Sequence, residues 1–234
     1  MVEVKEMLAP IGSKCRPGRA RTGFAGVTIH NTGNTGKGAD ALSHGKYLQG
    51  GGAGTTASWH YAVDETLATR SILESEIAWH AGDGTGNGNY KTVAIEICMN
   101  SDGNITKATD NAAELAADIL RRNGITKASG YLYQHNHWSG KNCPQKIRAG
   151  VPYSWDAFIK KVQSFLDLVT QEEEEMVKRY DKVSDLPASL QKEAQELVDS
   201  GALAGSNGKL DVTEDMIRTM IISKRYADKM AAGK

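Results

Sequence analysis

Apolar and polar positions change period several times along the first 170 residues. Gly26-Val-Thr-Ile-His-Asn31 reads as a short buried strand that closes on polar residues. Ser58-Trp-His-Tyr-Ala-Val63 predicts a second strand, and Thr92-Val-Ala-Ile-Glu-Ile-Cys98 a third. Ala112, Leu115, Ala116, Ile119 and Leu120 recur at i, i+3, i+4, i+7, i+8, the spacing of an amphipathic helix. Thr109 or Asp110 can cap that helix and Gly124 can end it. Trp155, Phe158, Ile159, Val162, Phe165 and Leu166 form a second helical stripe. Strands alternating with helices predict an α/β fold with one central sheet.

The pattern changes after residue 170. Gln171-Glu-Glu-Glu-Glu175 is a run of like charge, read as a solvated spacer, so residues 171–176 are expected to link a first domain, 1–170, to a second, 177–234. The second reads as a small helical domain. Ser184 or Asp185 precedes Pro187, which suits a first helical turn, and Gly201 supplies a stop. Asp211 and Glu214 resemble a capping box, after which Met216, Ile217, Met220 and Ile221 share one face. About 58 residues are marginal for independent stability, so this piece is expected to pack on something.

Lys plus Arg and Asp plus Glu both total 28, so nothing supports a nucleic-acid partner. No apolar run approaches the ~18 residues that span a bilayer, so no membrane partner is expected. The first residues, MVEVKEMLAPIGSK, lack the apolar core of a signal peptide, and synthesis in a cytoplasm without a secretory leader is expected. Cys15, Cys98 and Cys143 are odd in number and far apart, a poor disulfide framework. All six histidines lie between His30 and His137, and 21 of the 25 glycines lie at or before Gly150, which places the chemistry in the first domain. The Gly-rich stretches Gly50–Gly54 and Gly82–Gly88 exceed ordinary connectors and are candidate functional loops.

A catalytic zinc needs three protein ligands and one open position. His30 ends a predicted buried strand, and His135-Asn-His-Trp-Ser-Gly-Lys-Asn-Cys143 brings two histidines, a lysine and a cysteine into nine residues. Imidazole and thiolate together suit zinc. A histidine at a strand end is more often structural, and a cysteine before proline is usually a buried thiol, so spacing alone does not choose the ligands.

Val27-Thr-Ile-His-Asn-Thr32, Ser58-Trp-His-Tyr61, Ile77-Ala-Trp-His-Ala81, Ile95-Glu-Ile-Cys98 and His135-Asn-His-Trp-Ser-Gly-Lys-Asn-Cys-Pro144 occur in that order. Together they resemble the type 2 N-acetylmuramoyl-L-alanine amidases, the superfamily of phage endolysins, bacterial autolysins and peptidoglycan recognition proteins. The resemblance covers about residues 20–168 and is nearest to endolysins of phages and prophages of Gram-positive hosts. It implies a central mixed sheet flanked by helices, and one zinc per chain on His30, His135 and Cys143. It further implies Glu96 as acid and base, and Lys141 as an oxyanion stabiliser. The implied substrate is bacterial peptidoglycan, cut between N-acetylmuramic acid and L-alanine, with holin-type release of the enzyme to the wall.

Other residues carry two readings each. His80 is a substrate contact or plain packing, and His60 a substrate-side or satisfied buried histidine. Trp59 and Trp79 line the glycan–peptide groove or pack as core. His137 and Trp138 support the ligand loop, His44 is solvated, Cys98 packs behind Glu96, and Cys15 has no role. Two rival functions remain at this point: a peptidoglycan-binding protein without activity, and a zinc peptidase acting on the stem peptide. A folding zinc would need a fourth protein ligand, and none is evident. The C-terminal helices are expected to bind the wall or to mediate self-association.

Overall fold

The computed structural model describes the backbone of residues 1–176 and 178–232, and the side chains of 1–168 and 178–230. Two compact units emerge, Met1–Val169 and Thr170–Lys234.

The first unit is built on β1 (Glu3–Glu6), β2 (Gly26–Asn31), α1 (Ala41–Gln49), β3 (Tyr61–Val63), β4 (Leu67–Arg70), α2 (Asn87–Lys91), β5 (Thr92–Ile97), α3 (Ile105–Arg122), β6 (Leu132–Gln134), α4 (His135–Ser139), α5 (Gln145–Arg148) and α6 (Trp155–Met176). The strands form one sheet in the order β1-β4-β3-β5-β2-β6. Every pairing is parallel except β3 with β4, so the sheet is mixed.

Strand period two sorts this sheet into two chemically different faces. Val27 and Ile29 on β2, Val93, Ile95 and Ile97 on β5, and Tyr61 and Val63 on β3 enter one buried core. Leu115, Ile119 and Leu120 of α3 and Phe158 and Val162 of α6 complete it. Leu120 is wholly buried, so Leu120→Ala would cost ~2–5 kcal/mol in lost burial and cavity. The alternate positions, Thr28 and His30 on β2 and Thr92, Ala94 and Glu96 on β5, fall by the same alternation on the opposite face. Gly26, at φ 141°, permits the close approach that seats β6, because a Cβ there would lie 2.1 Å from the Tyr131 carbonyl oxygen.

β2 and β5 match the predicted strands, with β5 ending at Ile97. The predicted strand at 58–63 is shorter, because Ser58 pairs with Trp79 of a loop and leaves only Tyr61–Val63 in the sheet. α3 begins earlier than the apolar stripe suggests: Asn104 caps it by accepting from the Lys107 N–H at 3.0 Å. Thr109 lies inside the helix and donates to the Ile105 carbonyl, while Asp110 accepts from the Tyr153 hydroxyl. Gly124, at φ 74°, does follow the helix end.

The acidic run continues α6 as helix to Met176, and the unit boundary falls inside that helix; its side chains lie outside the described residues. In the second unit, β7 (Arg179–Tyr180) pairs antiparallel with β8 (Val212–Thr213), beside α7 (Ala188–Asp199) and α8 (Glu214–Ala232). Its core joins Tyr180, Leu190, Leu197, Val212, Ile217 and Ile221. The two-residue strands were not foreseen, being too short to show a period. Asp211 does not cap α8: it sits at φ 51° and pairs with Arg179, and the Thr213 hydroxyl oxygen accepts from the Met216 N–H instead. Among the described residues, no helix is long and apolar enough to cross a membrane.

Candidate metal centre

His30 is the fifth residue of β2, and the parallel register sets it beside Glu96 of β5. His135 is the first residue of α4, which follows directly on β6, the other neighbour of β2. Cys143 arrives from the loop after α4. That loop is held by Asn136, whose side-chain amide donates to the carbonyls of Gly140 and Lys141, and whose backbone N–H donates to the Cys143 carbonyl. Asn31 grips it from β2: its N–H donates to Cys143 Sγ at 3.4 Å, and its side-chain oxygen accepts from the Lys146 N–H.

These elements bring three donors together, and all three residues are buried. His30 Nδ1 lies 3.0 Å from His135 Nδ1 and 3.8 Å from Cys143 Sγ, and the ligand atoms of the three residues all fall within 4.8 Å of one another. A tetrahedral zinc with its usual bond lengths spaces two nitrogens by about 3.3 Å and nitrogen from sulfur by about 3.6 Å. The donor set fits such an ion. Burial, then the Glu96 charge, push the Cys143 thiol up to about 11, so a cation is what would let it ionise at neutral pH. His30 presents its other nitrogen, Nε2, to His80 Nδ1 at 3.0 Å, an outer hydrogen bond that fixes ring orientation.

Burial holds His30 and His80 well below the usual imidazole range, reinforced by the neighbouring histidines. His135 is lowered too, by burial and then by Lys141. Glu96 Oε1 stands 3.8 Å from His30 Nδ1, and with a neutral imidazole this is no ion pair. Burial pushes Glu96 up to about 8, with Lys141 opposing that rise. Lys141 is exposed, and no acidic side chain pairs with its ammonium among the described residues.

The remaining predicted residues separate into two groups. Trp59 lines a cleft of about 410 Å³ together with Glu96, Thr32, Asn34, Tyr47 and His44. His80 touches the centre through His30, and its own N–H and that of Ala81 donate to the Asn89 side-chain oxygen. His60 is fully buried, with Nε2–H donating to the Glu76 carbonyl and Nδ1 accepting from the Ala94 N–H. It is a strut beneath the site. Trp79 packs edge-on against Tyr90, at 6.1 Å between ring centres.

Sequence reasoning missed Asn31, Asn136, Asn89 and Thr32, and read His44 as solvated. His44 is half-buried and packs edge-on against Trp59, with Nδ1–H donating to the Asp40 carbonyl. The asparagines act through backbone contacts that no residue spacing encodes. Of the two Gly-rich stretches, Gly82–Gly88 borders the centre, since a Cβ on Gly82 would lie 3.8 Å from His135 Nε2. Gly50–Gly54 packs over Leu48 and Cys15 instead.

A strand-end histidine, a second histidine and a cysteine after it, grouped over a mixed sheet, form a cluster that could hold a metal ion. The chain belongs to the N-acetylmuramoyl-L-alanine amidase family, whose model matches residues 21–146. It is 42% identical over 158 residues to the N-acetylmuramoyl-L-alanine amidase XlyA of Bacillus subtilis (strain 168), covering 68% of this chain and 50% of that one. It is 40% identical over 165 residues to CwlH of the same organism, covering 70% and 62%. The chain therefore spans between half and two thirds of the length of these relatives. The structure of the catalytic domain of XlyA superposes with a TM-score of 0.63 at 40% identity, covering 69% of this chain and 99% of that one.

Proposed function

We propose that this chain hydrolyses the amide bond between N-acetylmuramic acid and L-alanine in bacterial peptidoglycan, as a zinc enzyme of the phage or prophage endolysin type. The observation that carries the reading is the convergence of His30, His135 and Cys143 beside Glu96, in a chain of this family. His30, His135 and Cys143 would hold one zinc, which would polarise the scissile carbonyl and activate water at neutral pH.

Around that ion the side chains divide the work. Glu96 accepts the proton of the attacking water and delivers it to the departing alanine amine. The Lys141 ammonium offsets negative charge growing on the carbonyl oxygen. Asn31 and Asn136 hold the Cys143 loop, and His80 orients His30. The products are a lactyl carboxylate on the sugar and a free L-alanine amine.

The second unit serves wall binding in this reading, with self-association of α8 the other outcome. Release to the wall by a holin-type pore completes the proposal. The direct test is lysis of a cell-wall suspension: it should stop on chelation and return with zinc. Lysis that persists after complete metal removal would overturn the metal assignment.

A further inference from the structure

Both imidazoles of the candidate metal centre are met from behind by one dipeptide, His80-Ala81. His30 turns Nδ1 toward His135 Nδ1 and Cys143 Sγ, and its Nε2 lies 3.0 Å from His80 Nδ1. His135 also turns Nδ1 inward, and a hydrogen bond to the Ala81 backbone favours a proton on its ring. The nitrogen on that side is Nε2, since a Cβ on the next residue, Gly82, would stand 3.8 Å from it. Which ring nitrogen binds a metal is set by the hydrogen bond that the other one makes. Two adjacent residues therefore leave Nδ1 of both rings to the ion.

His80 and Ala81 lie in neither a helix nor a strand, so no regular ladder fixes their backbone. Asn89, the third residue of α2, does so instead. Its side-chain oxygen accepts from the His80 N–H and from the Ala81 N–H, each at 2.8 Å, and both bonds are buried. Asn89 is only 3% exposed and is held in turn. Its Nδ2 donates to the Gly84 carbonyl at 2.9 Å, and its backbone N–H donates to Asp83 Oδ1 at 3.2 Å. Gly88 lets α2 come this close, because a Cβ there would lie 2.4 Å from the Ala81 Cβ. Without the Asn89 oxygen, two buried N–H groups would lose their partner, and the dipeptide would have to move to find another. Resting on the zinc reading above, we propose that Asn89 is a positioning residue for the metal centre. Through one side-chain oxygen it fixes both outer partners, and with them both imidazole ligands.

The experiment uses the zinc-loaded full chain, as parent and as Asn89→Ala, Asn89→Asp and His80→Phe. Heteronuclear NMR of the histidine rings should place the metal on Nδ1, and a slowly exchanging proton on Nε2, of both His30 and His135 in the parent. In Asn89→Ala both Nε2 protons should exchange quickly, and zinc should bind about 10–100-fold more weakly in competition with a chelator. His80→Phe should free the His30 proton and spare that of His135. Asn89→Asp, which keeps the oxygen, should recover most of the parent affinity. Should Asn89→Ala fail to fold, the parent ring protons and the single-ring effect of His80→Phe decide the matter. Three results would overturn the inference while leaving the zinc reading intact: parent rings that bind zinc through Nε2, an Asn89→Ala protein with parent affinity and both protons protected, or a His80→Phe protein that frees both. A parent chain that binds no zinc would overturn both.

Discussion

His30 and Glu96 stand opposite each other in the parallel register of β2 and β5, with Nδ1 and Oε1 3.8 Å apart. The pairing comes from backbone hydrogen bonds, so the candidate metal ligand and the proposed proton carrier are set by two adjacent strands inside the sheet. Their roles should therefore separate cleanly on mutation. Glu96→Gln should keep zinc and fold while kcat drops by ~10²–10⁴. A loss under tenfold would remove Glu96 from proton transfer. Lys141→Ala should lower kcat with little change in KM.

Cys143→Ala should abolish activity and reduce zinc from one per chain to a small fraction, measured by metal analysis after dialysis. Cys15→Ala should leave both nearly unchanged, since Cys15 is buried in a separate cluster with Leu48 and Ile72. Full occupancy in Cys143→Ala would contradict the ligand assignment.

Asn136→Ala frees the loop that carries Cys143 without touching any ligand atom. Partners of this kind typically contribute 10–100-fold in metal affinity or activity. Zinc should be lost to a competing chelator at a correspondingly lower concentration than from the parent.

Stability of the metal-free protein should depend on pH in two opposing ways. His60 is held down to about 4 by burial, against about 6.5 in an unfolded chain. Between those values the unfolded state binds a proton that the folded state refuses, so stability is lost as pH falls from 6.5 to 4, by on the order of 3 kcal/mol. Glu96 acts with the opposite sign: raised to about 8, it takes up its proton in the fold first, so its penalty at pH 8 fades as pH falls toward 4.5. Denaturant titrations should find metal-free Glu96→Gln more stable than the parent at pH 8 and no more stable near pH 4.5. In metal-free Glu96→Gln, where the opposing Glu96 contribution is gone, stability that rises as pH falls below 6.5 would contradict the His60 part of this account.

For the second unit, full-length protein should sediment with host cell walls and a chain truncated after residue 176 should stay in solution. Equal sedimentation of the two, with a dimer that becomes a monomer on truncation, would favour self-association instead.

Much of the first unit was legible because its central strands are fully buried. Val27-Thr-Ile-His and Thr92-Val-Ala-Ile-Glu-Ile show both a β-rich apolar run and the ligand-type residues that interrupt it. β1, β4 and β6 stayed hidden because strands of three or four residues, such as the wholly exposed Glu3–Glu6, show no apolar alternation. His44 and Thr32 escaped notice because what matters about them is the cavity they share with Trp59, which depends on the packing of α1. Asp211 looked like a cap by spacing, but its left-handed backbone and its ion pair with Arg179 give it a different task.

The most direct test of the central claim is mass spectrometry of purified peptidoglycan after digestion, because it identifies the bond that was cut. The account predicts glycan fragments whose N-acetylmuramic acid bears a free lactyl carboxylate, alongside peptides that begin with a free L-alanine amine. Muramic acid still joined to alanine, with new amines appearing only inside the stem peptide or cross-bridge, would contradict it.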